Sequence, residues 1–559
     1  MTERTAAPRS FTRRQAIAAG FGTAAAVTLA TPAAAATVAT PATGGPVLGP
    51  RRRVADAHGS CERTVLWSRG DNGWVDFRVH AVDVTPRGTV LAFSEARVGT
   101  SDDAGPKDLV LRRSTDGGQT WGPTLYLEHH DDGAWANPTP VTDLRTGHVT
   151  LFYALNDQGD SSRVFRRTST DDGLIWSDPV ELTDLFAANG HGWTFHLPGP
   201  GRGIQLADGR LLVEVWHRRP LSLPAAERDY GASVVFSDDG GRTWAHGGIV
   251  PDPAGLGLDE ARIAQLATGE VIVNSRLAGG VSNTSRAVAV SRDGGRTFTE
   301  AAVETNIAPH AGIAAGLAAR VDRHGVERVV YTSPVAGTNR DTLYARLSHD
   351  GTQSWSWGRV VEPGRAGYSD TAWLDDAILI VLYSRLGATG VETQDVVAAR
   401  FDLTWLTEGR DSVGRGPIRL RGQYQMEGLR AETTVPRSPM VVDPAAEGSA
   451  VAHVPAAAHG DAYAVTIVPA VSGHRLLRCR FRAAQNAAGD VVVTVDGRRR
   501  GGVIATSAGN PFLDVDVGPV RVRPGRPVRV EFIAVRAGPD GVTNAFQVDS
   551  ISLVPPGRA

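Results

Sequence analysis

The sequence predicts an all-β protein, in which a six-bladed β-propeller precedes a C-terminal β-sandwich of jelly-roll type. The chain of 559 residues contains 64 glycines and 33 prolines but only 3 methionines, a balance that favours many short strands joined by tight turns. A short motif also recurs five times at intervals typical of propeller blades. Charged residues make up 21% and hydrophobic residues 42% of the chain, which excludes a largely disordered protein.

The first 36 residues predict an export signal. Arg13 and Arg14 form a twin-arginine pattern, an apolar and alanine-rich stretch follows, and the alanines at 34–36 offer a cleavage site. The apolar stretch is too short for a membrane span, which needs about 20 strongly apolar residues. We therefore expect secretion by the twin-arginine route, to the extracellular space or the cell surface, with no membrane span. Residues 37–58, rich in alanine, proline and glycine, predict a flexible spacer.

The recurring motif has the form Ser-x-Asp-x-Gly-x-Thr-Trp, and its fifth copy is degenerate. The copies begin at Ser114, Ser169, Ser237, Ser291 and Ser348, so successive starts lie 55, 68, 54 and 57 residues apart. Ser and Asp side chains can bond backbone N–H groups within a turn, and Gly supplies a positive φ. Because a strand-like apolar run precedes each copy, we expect hairpin tips with the closing aromatic residue packed beneath. The spacing predicts the propeller over residues 59–408.

Strand patterns return after a Gly- and Arg-rich linker predicted at 409–423, and they predict the β-sandwich over residues 424–556. The segments that begin at Tyr424 and Phe546 resemble the opening and closing strands of carbohydrate-binding modules. Such a module would tether the protein to a glycan surface, which makes a second glycan a candidate partner. The segment has no tryptophan, however, so an aromatic platform for a sugar is not evident, and a domain that only packs on the propeller stays open.

The repeats are Asp-boxes, and the chain resembles the sialidase (neuraminidase) family of glycoside hydrolases. The segments that carry the resemblance are Phe77–His80, Phe93–Arg97, Gly199–Leu206, Asn274–Arg276 and Gly367–Ser369. The resemblance implies a secreted exo-α-sialidase that hydrolyses terminal sialic acid from a sialylated glycan and needs neither a cofactor nor a metal. We expect it to act as a monomer.

The resemblance implies that four arginines bind the substrate. Sialic acids carry a carboxylate on the anomeric carbon, and Arg78, Arg276 and Arg340 would hold it through charge-assisted hydrogen bonds. Three convergent guanidinium groups repel one another unless an anion lies between them. Arg97 would be a further substrate-binding arginine.

The resemblance also implies a catalytic tyrosine. A carboxylate nucleophile would be repelled by the substrate carboxylate, whereas the neutral phenol of Tyr368 can approach, with Glu260 as its base. Asp102 would protonate the leaving oxygen and then activate water, so that two displacements give net retention. Two neighbours stay open as alternatives, Asp103 for the acid/base role and Asp259 for the base.

Two positions depart from the family pattern. His80 stands where the family has a proline after the first arginine, and Ser384 stands where it has a glutamate that orients that arginine. We therefore expect Arg78 to be less firmly placed. A hydrolase of another 2-keto acid sugar, such as a deaminated sialic acid or an octulosonic acid, stays open, as does a non-catalytic glycan-binding propeller. His196 and His217 are further candidates to line an altered site.

The formal net charge is −2, and no block of like charge stands out, so the sequence gives no electrostatic footprint for a nucleic-acid partner. The chain has 2 cysteines, Cys61 and Cys479. We expect two unpaired or buried thiols, and the count excludes a cysteine-based zinc site.

Overall fold

Strands account for nearly all of the regular structure of the chain, which confirms the all-β class. A computed structural model describes residues 36–38, 40–41, 51–56, 59–278, 285–304, 307, 312–334, 340–353, 355–388, 390, 392–407, 409, 411–413, 416–417, 423–425, 431–433, 440–442, 450–457, 462–467, 473–483, 489–506, 513–523, 526–536 and 544–554. The twin-arginine segment precedes the described residues, so export stays a prediction.

The first half of the chain forms short antiparallel strands, which alternate with tight turns. In chain order they are β1 Ala36–Val38, β2 Thr40–Pro41, β3 Arg51–Asp56, β4 Gly59–Ser68, β5 Trp74–Val84, β6 Val90–Val98, β7 Lys107–Ser114, β8 Leu125–Glu128, β9 Trp135–Thr142, β10 Val149–Asp157, β11 Ser161–Ser169, β12 Ile175–Ser177, β13 Val180–Glu181, β14 Phe195–Pro198, β15 Ile204–Gln205, β16 Leu211–Arg218, β17 Tyr230–Ser237 and β18 Ala245–Ile249. Single 3₁₀ turns occur at Asp71–Gly73, His130–Asp132, Thr183–Phe186 and Ala225–Glu227.

The same pattern continues to residue 402. The strands are β19 Leu258–Gln265, β20 Val271–Leu277, β21 Arg286–Ser291, β22 Ala302–Glu304, β23 Gly316–Val321, β24 Glu327–Pro334, β25 Asp341–Ser348, β26 Ser356–Trp373, β27 Ile378–Leu386 and β28 Thr393–Asp402. A short helix α1, Leu403–Leu406, follows, and Asp402 caps it by accepting from the Trp405 N–H.

The sheet order is that of consecutive four-stranded meanders. Four sheets run β5-β6-β7-β8, β9-β10-β11-β13, β14-β16-β17-β18 and β19-β20-β21-β22. An eight-stranded sheet contains two more such units, because β26 pairs first with β25 and then with β27. Its last unit is completed by β4 from the opposite end of the region, which pairs with β28. An early strand therefore closes the ring, as in β-propellers.

The repeated motif forms the turn after the third strand of a unit. In the first copy, Ser114 Oγ donates to Asp116 Oδ1 (2.8 Å) and accepts from the Gly118 N–H (2.8 Å), while the Thr120 N–H donates to Asp116 Oδ1 (2.8 Å). The tryptophans that close four of the copies are buried, namely Trp121, Trp176, Trp244 and Trp355. This confirms hairpin tips with the aromatic residue packed beneath them.

A buried carboxylate ties the inner strands together near the axis. Asp370 is fully buried and accepts from the Val82 N–H (3.0 Å), from the Arg202 N–H (3.2 Å) and from Arg262 Nε (3.3 Å). These partners belong to different units, so Asp370 fixes the relative positions of the strands that carry the candidate site. A buried carboxylate needs several such donors to offset its desolvation.

The predicted flexible spacer and linker are wrong in part. Within 37–58, β3 pairs with β4, β2 pairs with β8, and β1, which begins one residue earlier, pairs with β12. Within 409–423, Asp411 is buried and receives a bidentate hydrogen bond from Arg328 (2.7 and 2.9 Å). Composition alone predicted loops, because it does not register a long-range ion pair or an edge strand.

The C-terminal region forms two facing sheets. Its strands are β29 Asp411–Ser412, β30 Gly416–Pro417, β31 Gln423–Gln425, β32 Ala431–Thr433, β33 Met440–Val442, β34 Ala450–Ala457, β35 Ala462–Ile467, β36 Gly473–Ala483, β37 Gly489–Val495, β38 Arg498–Thr506, β39 Leu513–Val522, β40 Val528–Arg536 and β41 Asn544–Val554. One sheet runs β33-β34-β41-β36-β39 and the other runs β32-β35-β40-β37-β38. Residues of both sheets share one apolar core, as in a β-sandwich.

Both cysteines are free and buried, as predicted. In the part of the chain that the structure covers, no helix has the length and apolar character needed to cross a membrane.

Candidate active site

The predicted site residues lie at the same end of the strand units. Within a unit, the first strand begins at this end, the second strand ends there and the third begins there. Glu260 lies early in β19, Arg276 lies late in β20, and Arg340 directly precedes β25. The Asp-box turns follow the third strands, so they lie at the opposite end. The topology therefore separates the repeated motif from the candidate site.

Tyr368, Glu260 and Arg276 form a hydrogen-bonded cluster. Tyr368 Oη donates to Glu260 Oε1 (2.7 Å), and Arg276 Nη1 donates both to Glu260 Oε2 (2.7 Å) and to Tyr368 Oη (3.3 Å). Asp259 is buried and lies 3.7 Å from Arg276 Nε. Glu260, and not its neighbour Asp259, is therefore the carboxylate that contacts the phenol.

The surroundings of Tyr368 keep its phenol protonated. Burial and the adjacent Glu260 carboxylate raise the pKa of Tyr368 above its usual value, and the charges of Arg276 and Arg340 offset only part of that rise. Glu260 Oε1 already accepts the phenolic hydrogen. The proton can therefore move along this hydrogen bond when the oxygen forms a bond to carbon.

Arg340 lies within electrostatic reach of Arg78 and Arg276, and we call these three residues the clamp arginines. Burial lowers the pKa of Arg340, and the positive charges of Arg276 and Arg78 lower it further, against the opposing effect of Tyr368. Arg340 forms no ion pair with any residue of the described ranges. Its backbone has a φ of 50°, which is uncommon for a residue other than glycine, and such strain is typical of functional sites. The positive charges of Arg78 and Arg276 therefore act on Arg340.

Arg78 has a carboxylate partner that the sequence analysis missed. Arg78 Nε donates to Asp76 Oδ2 (2.9 Å), and Asp76 is fully buried. The other oxygen of Asp76 accepts from the Phe77 N–H (2.9 Å) and the Thr393 N–H (2.8 Å), which fixes the carboxylate in place. The expectation that Arg78 is poorly placed is therefore wrong. The signal was available, since residues two apart on a strand face the same side.

The two departures from the family pattern contact each other. His80 is buried, and its Nε2 lies 2.7 Å from Ser384 Oγ while its Nδ1 lies 3.0 Å from Ser94 Oγ. Burial lowers the pKa of His80 to about 3, with a smaller effect from Arg78, so the ring is neutral. His80 and Ser384 thus form one buried polar pair beside the strand of the first arginine.

His196 and His217 belong to a separate buried cluster. Their Nδ1 atoms lie 2.8 Å apart, and His217 Nε2 lies 2.7 Å from Ser233 Oγ. Phe186 stacks on His196 and Trp193 stacks on His217. These contacts indicate a structural role within their strand unit.

The loop at residues 99–106 brings Asp103, and not Asp102, to the arginines. Arg97 Nη2 donates to Asp103 Oδ1 (2.6 Å) and to Glu95 Oε2 (3.2 Å). The Asp102 carboxylate instead accepts from the Ala104 N–H (2.8 Å) within the loop. Partial desolvation raises the pKa of Asp103, but the charge and the hydrogen bond of Arg97, together with the charges of Lys107 and Arg78, outweigh it and lower that pKa overall. Of the two carboxylates, Asp103 is the one that forms a hydrogen bond with Arg97.

Lys107 holds the same loop from beneath. It is almost fully buried, and its Nζ donates to the Asp103 carbonyl oxygen (2.5 Å). Burial lowers the pKa of Lys107, and the carboxylates of Glu95 and Asp103 oppose this effect. Lys107 is the only lysine in the sequence of the chain. The presence of a single lysine, close to Asp102 and Asp103 in the sequence, is a feature from which its role could have been predicted.

Sequence similarity to known proteins covers the propeller region. The family model described as a BNR repeat-like domain matches residues 88–381. The chain is similar to a sialidase of Micromonospora viridifaciens, 30% identical over 363 residues that cover 60% of this chain and 53% of the relative. It is also similar to a sialidase of Bacteroides fragilis, 28% identical over 345 residues that cover 56% and 61%. The match thus spans between half and two thirds of these relatives.

Solved structures share the fold. The Hadza microbial sialidase Hz136 aligns with a TM-score of 0.52 at 23% identity, over 60% of this chain and 68% of that chain. A Trypanosoma rangeli sialidase, in complex with 2,3-difluorosialic acid as a covalent intermediate, aligns with a TM-score of 0.54 at 15% identity, over 90% and 96%. At these identities the likeness shows the fold alone, a sialidase-type propeller.

Proposed function

Because the chain belongs to the BNR repeat-like domain family, we propose that it is a sialidase-type glycoside hydrolase that releases a terminal α-linked sialic acid from a glycoconjugate. One observation carries the proposal: the Tyr368 phenol donates to Glu260 at 2.7 Å beside Arg276 and within reach of Arg340. The named relatives support the same substrate class. Export by the twin-arginine route belongs to the proposal.

Substrate binding depends on the three arginines. The carboxylate of the sugar lies among Arg78, Arg276 and Arg340, where charge-assisted and bidentate hydrogen bonds fix its orientation. The same contact offsets the repulsion between the guanidinium groups. It also offsets the Arg78 charge that lowers the pKa of Asp103, so binding of the anionic sugar favours the protonated, acidic form of Asp103.

In the first half-reaction, Tyr368 Oη attacks the anomeric carbon as its proton passes to Glu260. The glycosidic C–O bond breaks, and Asp103 donates a proton to the departing oxygen. A tyrosyl–sugar bond replaces the glycosidic bond. A neutral phenol suits this step, because an anionic nucleophile would be repelled by the substrate carboxylate.

In the second half-reaction, water attacks the same carbon. The ionised Asp103 removes a proton from that water, the tyrosyl oxygen leaves, and it regains its proton from Glu260. Two displacements at one carbon return the original anomeric configuration. The products are the free sugar and the shortened glycan, and the enzyme ends in its starting protonation state.

The test is the variant Tyr368→Phe with a fluorogenic α-sialoside. We expect kcat/KM to fall by a factor on the order of 10³ or more, the scale on which loss of a nucleophile acts. Tyr383→Phe is a matched control, because Tyr383 also donates to a glutamate, Glu362 (2.7 Å), but is fully buried. The control should keep its turnover. Unchanged turnover by Tyr368→Phe, with the fold intact by circular dichroism, would overturn the mechanism.

A panel of substrates tests the sugar itself. Glycosides of sialic acid, deaminated sialic acid and octulosonic acid share the anomeric carboxylate but differ in the rest of the ring. We expect the highest kcat/KM for the sialic acid. A higher kcat/KM for one of the other two glycosides would support the same reaction with that sugar as the substrate. Binding of all three glycosides without release of product would contradict enzymatic activity.

A further inference from the structure

The topology of the β-sandwich brings distant basic residues to one end of the domain. β36 begins opposite the end of β39, since Gly473 pairs with Val522. β37 ends opposite the beginning of β40, since Val495 pairs with Val530. The turn to β38 and the loop from β39 to β40 therefore lie at this same end. Segments that are separated by about 50 residues in sequence become neighbours here.

This end carries a high density of positive charge. We call it the basic end and define it by His474, Arg475, Arg498, Arg499, Arg521, Arg523, Arg526 and Arg529. Five of its arginines have exposed side chains, namely Arg498, Arg499, Arg521, Arg523 and Arg526. With strands about 4.8 Å apart and sheets about 10 Å apart, the surface is roughly 15 Å across.

Few carboxylates offset this charge. Glu531 pairs with Arg529 (3.3 Å), and Asp496 accepts from the Arg529 N–H (2.9 Å). Asp514 and Asp516 lie further along β39, opposite Arg480 and Arg478, away from the strand end. Within the described residues, none of the five exposed arginines forms an ion pair. The basic end thus presents uncompensated positive charge to solvent, in a chain whose net charge is −2.

We propose that the basic end is a binding surface for an acidic polysaccharide, a glycan chain that carries a carboxylate on its repeating units. A linear polyanion can contact several arginines at once, and each guanidinium can form bidentate hydrogen bonds with a carboxylate. Residues 424–556 contain no tryptophan, so the region lacks the indole ring on which sugars commonly stack. Attraction must be local, because the chain as a whole is slightly acidic. The surface does not depend on the reaction proposed for the propeller.

The experiment uses the full chain with Tyr368→Phe, so that no probe is cleaved. The probes are hyaluronan and polysialic acid, with double-stranded DNA as a rival polyanion, all three immobilised at matched charge. Dextran, a neutral polysaccharide, is immobilised at matched mass. We expect binding to both acidic polysaccharides at 25 mM NaCl, none to dextran, and release at 500 mM NaCl, because salt screens exposed charges.

Variants then locate the surface. Replacing Arg498, Arg499, Arg523 and Arg526 by serine should weaken binding about tenfold or more, because four exposed charge contacts are lost together. The control replaces four exposed propeller arginines by serine, Arg87, Arg242, Arg292 and Arg296, and changes the net charge equally. It should bind as the parent does.

Three results would overturn the proposal: no binding at 25 mM NaCl, an equal loss in the control, or tighter binding to DNA than to either polysaccharide. A double variant, Arg523→Ser with Arg526→Ser, changes only the loop between β39 and β40 and guards against a folding defect. It should weaken binding about threefold or more at unchanged thermal midpoint. Unchanged binding by a folded double variant would also count against the proposal.

Discussion

Asp103→Asn and Asp102→Asn form the pair of variants that tests the acid/base assignment most directly. The Asp103 carboxylate accepts from Arg97 at 2.6 Å, and the charge of Arg78 contributes to the lowered pKa of Asp103. The Asp102 carboxylate bonds within its own loop. Both side chains are exposed, so neither change should unfold the protein. The two variants therefore differ in chemistry but not in charge or size.

The magnitude follows from the role. General acid catalysis contributes about 10²–10⁴-fold, which corresponds to about 3–5 kcal/mol of transition-state stabilisation. For a sialylated oligosaccharide, whose alcohol departs poorly, Asp103→Asn should lower kcat/KM by that factor. For a 4-methylumbelliferyl sialoside, whose phenol departs without a proton, kcat/KM should fall much less. Water activation in the second half-reaction still needs Asp103, so this substrate should give a burst of one product molecule per enzyme and then a slow steady rate.

The assay compares both substrates by stopped-flow fluorescence and by release of free sugar. Asp102→Asn should stay within about twofold of the parent on both, as expected for a surface change. Because Arg97 lowers the pKa of Asp103, kcat/KM of the parent on the oligosaccharide should decline as pH rises through that lowered pKa. The reasoning is refuted if Asp102→Asn shows the large loss and the burst, or if Asp103→Asn loses equally on both substrates.

Three further changes test the supporting residues. Asp76→Asn removes the carboxylate that holds Arg78, so KM for the sialoside should rise about tenfold or more with a smaller change in kcat. A fall in kcat as large as the rise in KM would contradict a binding role. Lys107→Met removes the hydrogen bond to the Asp103 carbonyl oxygen, so kcat should fall while KM changes little, and an unchanged kcat would contradict the positioning role. Burial raises the pKa of Asp83 to about 6, so the folded protein binds the extra proton and stability falls as pH rises from about 4 to above 6. The free energy of unfolding of the parent, relative to Asp83→Asn, should therefore drop by up to about 3 kcal/mol over that window, and a flat difference would contradict the shift.

The fold could be predicted because its signals are local. Each Asp-box contains its own hydrogen-bond network, from Ser114 through Asp116 to Thr120 in the first copy, so a few residues specify a hairpin tip. The spacing of the copies then gives the size of a strand unit. The pairing of β3 with β4, in contrast, depends on a partner strand and not on its own composition, and the prediction of a flexible spacer failed there.

The acid/base residue illustrates why spacing is a weaker guide than register. Asp102 lies five residues after Arg97, and this spacing favours it over Asp103 only if the loop is treated as extended. In the structure the loop folds back, since the Val98 N–H donates to the Pro106 carbonyl oxygen (3.0 Å), and Lys107 draws Asp103 toward Arg97. Asp103, the residue after Asp102, therefore reaches Arg97 while its side chain stays exposed. Glu260, Arg276 and Tyr368 were identified from the motifs around them, which lie on strands and not in a loop. The pairing register shifts beside Glu260 and beside Tyr368, so strand alternation alone would not have given the directions of their side chains.

The three clamp arginines differ in how their charge is offset in the absence of substrate. Arg276 is held by Glu260 and Asp259, Arg78 is held by Asp76, and Arg340 forms no ion pair among the described residues. Three uncompensated guanidinium groups in a half-buried site would disfavour folding, since burial of unpaired charge costs several kcal/mol. Three fully paired ones would hold their carboxylates in competition with the substrate. Graded compensation satisfies both demands, and in this chain Asp76 supplies the carboxylate beside Arg78.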